Sequence, residues 1–287
     1  MVEQVAERAS QSLPLRRDER SDIELQLLLD ALLRYAGCDL RALNQSALRR
    51  RIADALRAED VATISALQDR VLHDDERLVK FVISMGGPPH LFNDPSFFAS
   101  LRANVVPLLR TYSFVRIWVP GIGLGADAFS LAAMLDDAGL LDRTIVYATL
   151  FTDIAVAISK TFAYPHDGRK RLEARGRLAG FEQPLERYFD IDDATATPVA
   201  RLRESVMLTR HNPTTDGSIN EFHAIVSRGA LSILNGAAQH RLHSLFFESL
   251  TRLGFLAIGA NESVAGTAHE RAFRRVTEAH SIFRRLR

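Results

Sequence analysis

Gly121, Gly123 and Gly125 alternate with other residues between the apolar run "VRIWVP" (115–120) and the helically spaced "ADAFSLAAML" (126–135). A glycine-rich turn between strand and helix lets backbone N–H groups approach a nucleotide or another polar ligand. Glycines in this order also serve close strand–helix packing, so the spacing alone is a weak signal. In such sites an acid closing the second strand accepts hydrogen bonds from ribose hydroxyls. His90, His211 and His223 lack metal-ligand spacing, so no metal site is expected. Cys38 has no His–Asp pattern near it and is not read as a nucleophile.

The elements around these residues fall into two classes. From Asp22 to about Asp75 the apolar spacing is helical, with Ile23, Leu27, Leu28, Leu32 and Tyr35 on one expected stripe and Gly37 as its stop. "GGPPHLFNDP" (86–95) breaks any regular element. Beyond it, "VRIWVP", "RTIVYATLF", "FHAIVSR" and "FLAIGA" read as strands alternating with helices, the last helix closing at Gly254. That alternation predicts a mainly parallel, doubly wound sheet with ligands at the carboxyl ends of its strands. The predicted division is a flexible leader at 1–20, a small helical domain at 21–85, a linker at 86–110 and a Rossmann-like domain at 111–287. Within the last, 165–205 reads as an inserted subdomain. The C-terminal "ERAFRRVTEAHSIFRRLR" reads as a packed element through Phe273, Val276 and Phe283, its last arginines facing solvent.

Thirty-six basic residues against 35 acidic ones give no global field for nucleic acid, leaving only local patches. One cysteine excludes an intrachain disulfide framework and fits a reducing compartment. No apolar run approaches the ~20 residues that span a bilayer, and the first residues lack a signal-peptide core. These features predict a cytoplasmic protein with no membrane insertion.

Several stretches together resemble the CheR-type chemotaxis receptor methyltransferases. They are "LFNDPSFFASL" (91–101), "RIWVPGIGLGADAFSLAAML" (116–135), "LERYF" (185–189), "RHN" (210–212), "FHAIVSRGALSILN" (222–235) and "LGFLAIGANES" (253–263). The resemblance implies a helical N-terminal domain followed by a methyltransferase domain that moves a methyl group from S-adenosylmethionine to receptor glutamates. It also implies where the cofactor would be held. The matches fall on packing positions and the mismatches on chemistry. Pro89 and Asn93 stand where the family has the threonine and arginine of its linker motif. Ala126 and Asp127 stand for an acid pair, Gly229 for an asparagine and Ile233 for a tyrosine. Without gaps, Leu150 replaces the ribose acid; with an insertion and a compensating deletion, Asp153 supplies it. Asn212 and Glu262 match positions near the cofactor.

Charge-assisted hydrogen bonds contribute about 1.5–3 kcal/mol and neutral ones about 0.5–1.5. Losing the arginine, the ribose acid and one asparagine would remove on the order of 4–7 kcal/mol if the terms add, which takes a micromolar site to millimolar or weaker. The expectation is therefore a CheR-like signalling protein without a firm cofactor, a pseudo-methyltransferase acting through a protein partner or an altered ligand. The alternative is an active enzyme that binds S-adenosylmethionine, or its product S-adenosylhomocysteine, through Gly121, Gly123, Gly125, Asp127, Asp153, Asn212 and Glu262. In the family, basic faces of the helical domain meet acidic receptor helices, which makes Arg49, Arg50, Arg51 and Arg57 candidate partner contacts for a signalling or chemoreceptor protein. A nucleic-acid adaptor is the third reading.

Overall fold

The computed structural model describes residues 17–287 apart from Pro88 and Ile122. Of the expected leader, residues 1–16 lie outside the described residues, and Arg17 already begins a helix. Four helices form the N-terminal unit: α1 (Arg17–Ala36), α2 (Gln45–Ala58), α3 (Ile64–His73) and α4 (Asp75–Met85). Each of the last three starts at a side chain that satisfies first-turn N–H groups. Asn44 accepts from Ala47, Thr63 from Ala66, and Asp74 from Glu76 and Arg77. Gly37, at φ +61°, turns the chain out of α1.

The expected stripe on α1 is corrected by the packing. Leu28 and Leu32 are buried, but with Leu25 and Leu29, whereas Ile23, Leu27 and Tyr35 are 60%, 56% and 59% exposed. The run Leu27–Leu28–Leu29 offers two adjacent apolar faces, and contact with α3 selects one.

After α5 (Pro95–Asn104) and α6 (Val106–Leu109), a seven-stranded sheet is built from β1 (Val115–Pro120), β2 (Thr144–Leu150), β6 (Val206–Arg210), β7 (Phe222–Ser227), β8 (Leu250–Ile258), β9 (Phe273–Arg275) and β10 (Ile282–Arg285). Its order is β6-β2-β1-β7-β8-β10-β9. The first five strands in that order are parallel, β10 pairs antiparallel with β8, and β9 pairs antiparallel with β10. The strand β6 and the C-terminal hairpin add to the four strands expected. The helix α11 (Gly236–Ser249) ends before Gly254, because "LTRLG" is already strand β8. The terminal arginines are also not simply solvent-facing: Arg285 donates to the carbonyls of Phe247 and Leu250 and lies over the Phe247 ring.

Alternate residues of the central strands feed two cores. Ile117, Val119, Ala224 and Val226 face the core shared with α5 and α7 (Ala126–Asp137), while Trp118 and Ile225 face the core shared with the N-terminal helices and α11. The helical unit thus covers one face of the sheet. It is also stitched to the loop after β7: Asn44 N–H donates to Ile233 at 2.8 Å, Asn235 N–H to Ala42 at 2.8 Å, and the Asn44 amide to Ser232 at 3.0 Å.

Between α8 (Asp153–Ser159) and β6 lies a three-stranded antiparallel sheet of β3 (Tyr164–Pro165), β4 (Phe189–Ile191) and β5 (Thr195–Pro198), with α9 (Arg169–Leu178) within the same insertion and α10 (Ala200–Ser205) leading into β6. It docks on the end of α7 through Asp137. That buried carboxylate accepts from Arg102, from the Tyr188 hydroxyl at 2.6 Å, and from the N–H groups of Glu182 and Gln183 at 3.1 Å.

Candidate functional site

The sheet changes direction of winding at β1, which lies between β2 and β7. That switch opens a crevice at the carboxyl ends of these strands. A cavity of about 310 Å³ occupies it. Val119 and Pro120 end β1 there, and Gly121, Gly123 and Gly125 carry the wall into α7. Gly125 needs its glycine: its φ of +78° starts α7 from the left-handed region. Gly123 comes close to the segment after α4, since a Cβ there would meet the Gly86 carbonyl at 3.5 Å. The Tyr164 hydroxyl of the inserted sheet donates to the Leu124 carbonyl at 2.6 Å and so braces the loop from behind. Burial pushes the Tyr164 phenol up and keeps it a donor.

Of the positions singled out in the sequence, Pro89, Asn93, Ala126, Asp127, Leu150, Gly229 and Ile233 also line this cavity. Leu150 closes β2 and is buried, while Asp153 opens α8 with its side chain 82% exposed, 4.0 Å from Arg210 and off the cavity wall. Asn212 and Glu262 lie off the wall as well. The Asn212 amide oxygen accepts from Thr214 N–H at 3.0 Å and its hydroxyl at 2.7 Å, fixing the turn after β6. Both Glu262 oxygens are engaged: one by Ser232 N–H at 2.9 Å, the other by Gly229 N–H at 3.3 Å and Gly259 N–H at 2.6 Å. This carboxylate holds the loop after β7 to the end of β8.

Two arginines on the wall were not singled out as cavity residues. Arg228, at the end of β7, meets Asp127 at 3.0 Å, donates to the Asn93 carbonyl and lies 4.9 Å from the centre of the Phe97 ring. It joins strand end, helix start and linker in one contact. Burial pushes the Asp127 carboxyl up, although the adjacent Arg228 guanidinium opposes the shift. Arg51 of α2 reaches the cavity from the helical unit and donates to the Met85 carbonyl. Burial, with Arg50 beside it, lowers its pKa. In sequence, Arg51 is one of three consecutive arginines, and only the cavity separates it from Arg49 and Arg50. For Arg228 a signal existed, because "SRG" aligns with a family arginine.

The proposed partner face is thereby reduced and partly neutralised. Arg49 pairs with Asp22 and Arg57 with Asp54, Arg50 is exposed, and Arg51 faces the cavity. The three histidines are dispersed. His90 lines the cavity, buried His211 bonds to the Gly217 carbonyl at 2.9 Å, and His223 receives Arg116 N–H at 3.0 Å near the start of β1. Burial, then the Arg116 charge, lowers the His223 pKa. Burial pushes the Cys38 thiol up to about 12, which keeps it protonated and unreactive. Among the described residues no group of three His, Cys, Asp or Glu could hold a metal, and no helix is long and apolar enough to cross a membrane.

Residues 89–281 match the family described as CheR methyltransferase, SAM binding domain, and residues 23–85 match CheR methyltransferase, all-alpha domain. A Pseudomonas putida protein called "Putative methyltransferase Cher3" is 34% identical over 93% of this chain and 98% of its own length. A "Chemotaxis protein methyltransferase" from Listeria monocytogenes is 25% identical over 82% of this chain and 88% of its own. Among solved structures, the glycopeptide N-methyltransferase MtfA is 17% identical with a TM-score of 0.34, covering 57% of this chain and 53% of that one. That overlap is too loose to carry an argument.

Proposed function

The chain belongs to the CheR methyltransferase family, and from that premise we propose that it is a pseudo-methyltransferase, a signalling protein that has lost most of its grip on S-adenosylmethionine. The observation that carries the reading is the state of the acids. Asp127 is the one carboxylate on the cavity wall among the described residues, and Arg228 occupies it. The end of β2 presents Leu150, which gives ribose hydroxyls nothing to bond to. Asn93 turns its backbone carbonyl to Arg228, and Ile233 offers only hydrocarbon near the place of the family tyrosine. These residues do not fit the cofactor, so no methyl-transfer step is derived. The glycine loop and both cores persist because they hold the fold together whether or not a donor binds. In this reading the protein works in the cytoplasm by engaging a signalling or chemoreceptor partner, a chemistry in keeping with the chemotaxis name of its Listeria relative.

One observation favours the alternative of an active glutamate methyltransferase. Arg51 and Arg228 put guanidinium groups on the wall, and a substitute cation for the methionine carboxylate is what a rewired site would need. Methyl transfer is positioning chemistry, with acceptor oxygen, methyl carbon and sulfur in line. The two readings separate on transfer of labelled methyl groups from S-adenosylmethionine to a chemoreceptor cytoplasmic fragment. The proposal expects no incorporation above the protein-free rate with the chain in stoichiometric amount. Turnover sensitive to Arg51→Gln would establish the alternative.

A further inference from the structure

The polar groups of the cavity are unevenly matched, and the mismatch names a ligand chemistry. Asp127 is taken by Arg228. Arg51 is half-buried on the same wall and gives a hydrogen bond to one carbonyl, that of Met85. Burial, with Arg50 beside it, lowers its pKa, and the one carboxylate on the wall among the described residues is held by Arg228. A cation held away from water without a counter-charge is costly, and an arriving anion removes the cost. The guanidinium fork has further donors, and its planar geometry suits the oxygens of a phosphate.

The rest of the wall adds size and polarity. Leu150, Val119 and Ile233 give an apolar surface, and the volume of about 310 Å³ lies at the small end of organic-ligand sites. S-adenosylmethionine brings a carboxylate that suits a guanidinium, but with it a sulfonium and an ammonium, and the one carboxylate on the wall among the described residues is already paired. A phosphate brings negative charge and acceptor oxygens, which answer the unmatched guanidinium directly.

We infer that the cavity takes a nucleotide-sized organic phosphate, its anionic end on Arg51 and its apolar body against Leu150 and Ile233. This inference rests on the reading of a lost methyl-donor site and gives that site a successor ligand.

Calorimetric titration of the full chain with ADP, adenosine, S-adenosylhomocysteine and S-adenosylmethionine at low salt tests it. ADP should bind about tenfold or more tightly than adenosine, with the ratio shrinking as sodium chloride is added. It should also bind more tightly than S-adenosylhomocysteine, whose anionic group is a carboxylate beside an ammonium. Arg51→Gln should bring ADP down to the level of adenosine, and Arg51→Lys should keep part of the preference. Should Arg51→Gln fail to fold, the wild-type ratio and its salt dependence still decide. ADP binding no better than adenosine, or an unchanged preference in folded Arg51→Gln, overturns the inference. Failure of ADP together with S-adenosylmethionine overturns this inference alone, whereas micromolar S-adenosylmethionine affinity overturns the pseudo-methyltransferase reading beneath it.

Discussion

Helix α7 carries Asp127 in its first turn and Asp136 and Asp137 in its last, and Asp127 and Asp137 are treated oppositely. Asp127, in the first turn, sits where the helix dipole favours a carboxylate. Yet burial pushes it up, and its ion-pair partner is Arg228. Asp137, in the last turn, sits where the dipole disfavours it. Burial would push it up as well, but the Tyr188 hydroxyl, Glu182 N–H, Arg102 and Gln183 N–H together hold it below the usual carboxylate range. Along this helix the polar connections are denser at the end that docks the inserted sheet than at the end that faces the cavity. One end of the helix anchors the inserted sheet through several donors, and the other meets the cavity through the Asp127–Arg228 pair.

The largest effect expected from this contrast is on stability. Asp137→Asn removes the charge that pairs with Arg102 and turns one of the two accepting oxygens into an NH2 donor facing other donors, and should cost about 3–5 kcal/mol, read from urea unfolding. An effect within about 1 kcal/mol would break the comparison. Asn44→Ala comes next, removing the α2 cap and the bond to Ser232, at about 1–2 kcal/mol by the same measurement.

Acid unfolding sharpens the contrast further. The lowered Asp137 contributes its stability fully above the ordinary carboxylate value near about 4 and loses it as pH falls through the lowered value. Asp137→Asn should therefore flatten the acid limb of a stability–pH profile. The raised Asp127 has the opposite sign: its contribution is present at low pH and is lost as pH rises through the raised value. Asp127→Asn should leave the acid limb in place and cost the least, about 1 kcal/mol or under, because a neutral amide suits a site that already disfavours the charge.

Much of this architecture was legible in the chain. β1, β2 and β7 are continuous apolar runs because they are buried on both faces, and the glycine loop follows from the need to turn from β1 into α7. What escaped was decided by distant partners. β6 is the short run "VMLTR", marked as a strand by pairing with β2. The hairpin of β9 and β10 is rich in arginine and becomes a sheet edge by pairing with β8. The face of α1 was chosen by α3 from two equally apolar ones.

At the site, the glycine positions, Asp127 and the altered family positions come together around the cavity, and the β2 end carries Leu150 where Asp153 was the alternative. Asn212 and Glu262 look the same in sequence whether they touch a ligand or close a turn, and here they close turns and tie loops. Arg228 and Arg51 depend on partners far along the chain, Asp127 and Met85, so their sequence neighbours do not reveal where they point.

Titration of S-adenosylmethionine into the full-length chain, followed by calorimetry, tests the central claim most directly. On the proposed reading, in which Leu150 and Asn93 stand in place of the ribose acid and the carboxylate-binding arginine, saturation is expected no tighter than about the millimolar range. A saturable micromolar isotherm with one donor per chain would contradict the account.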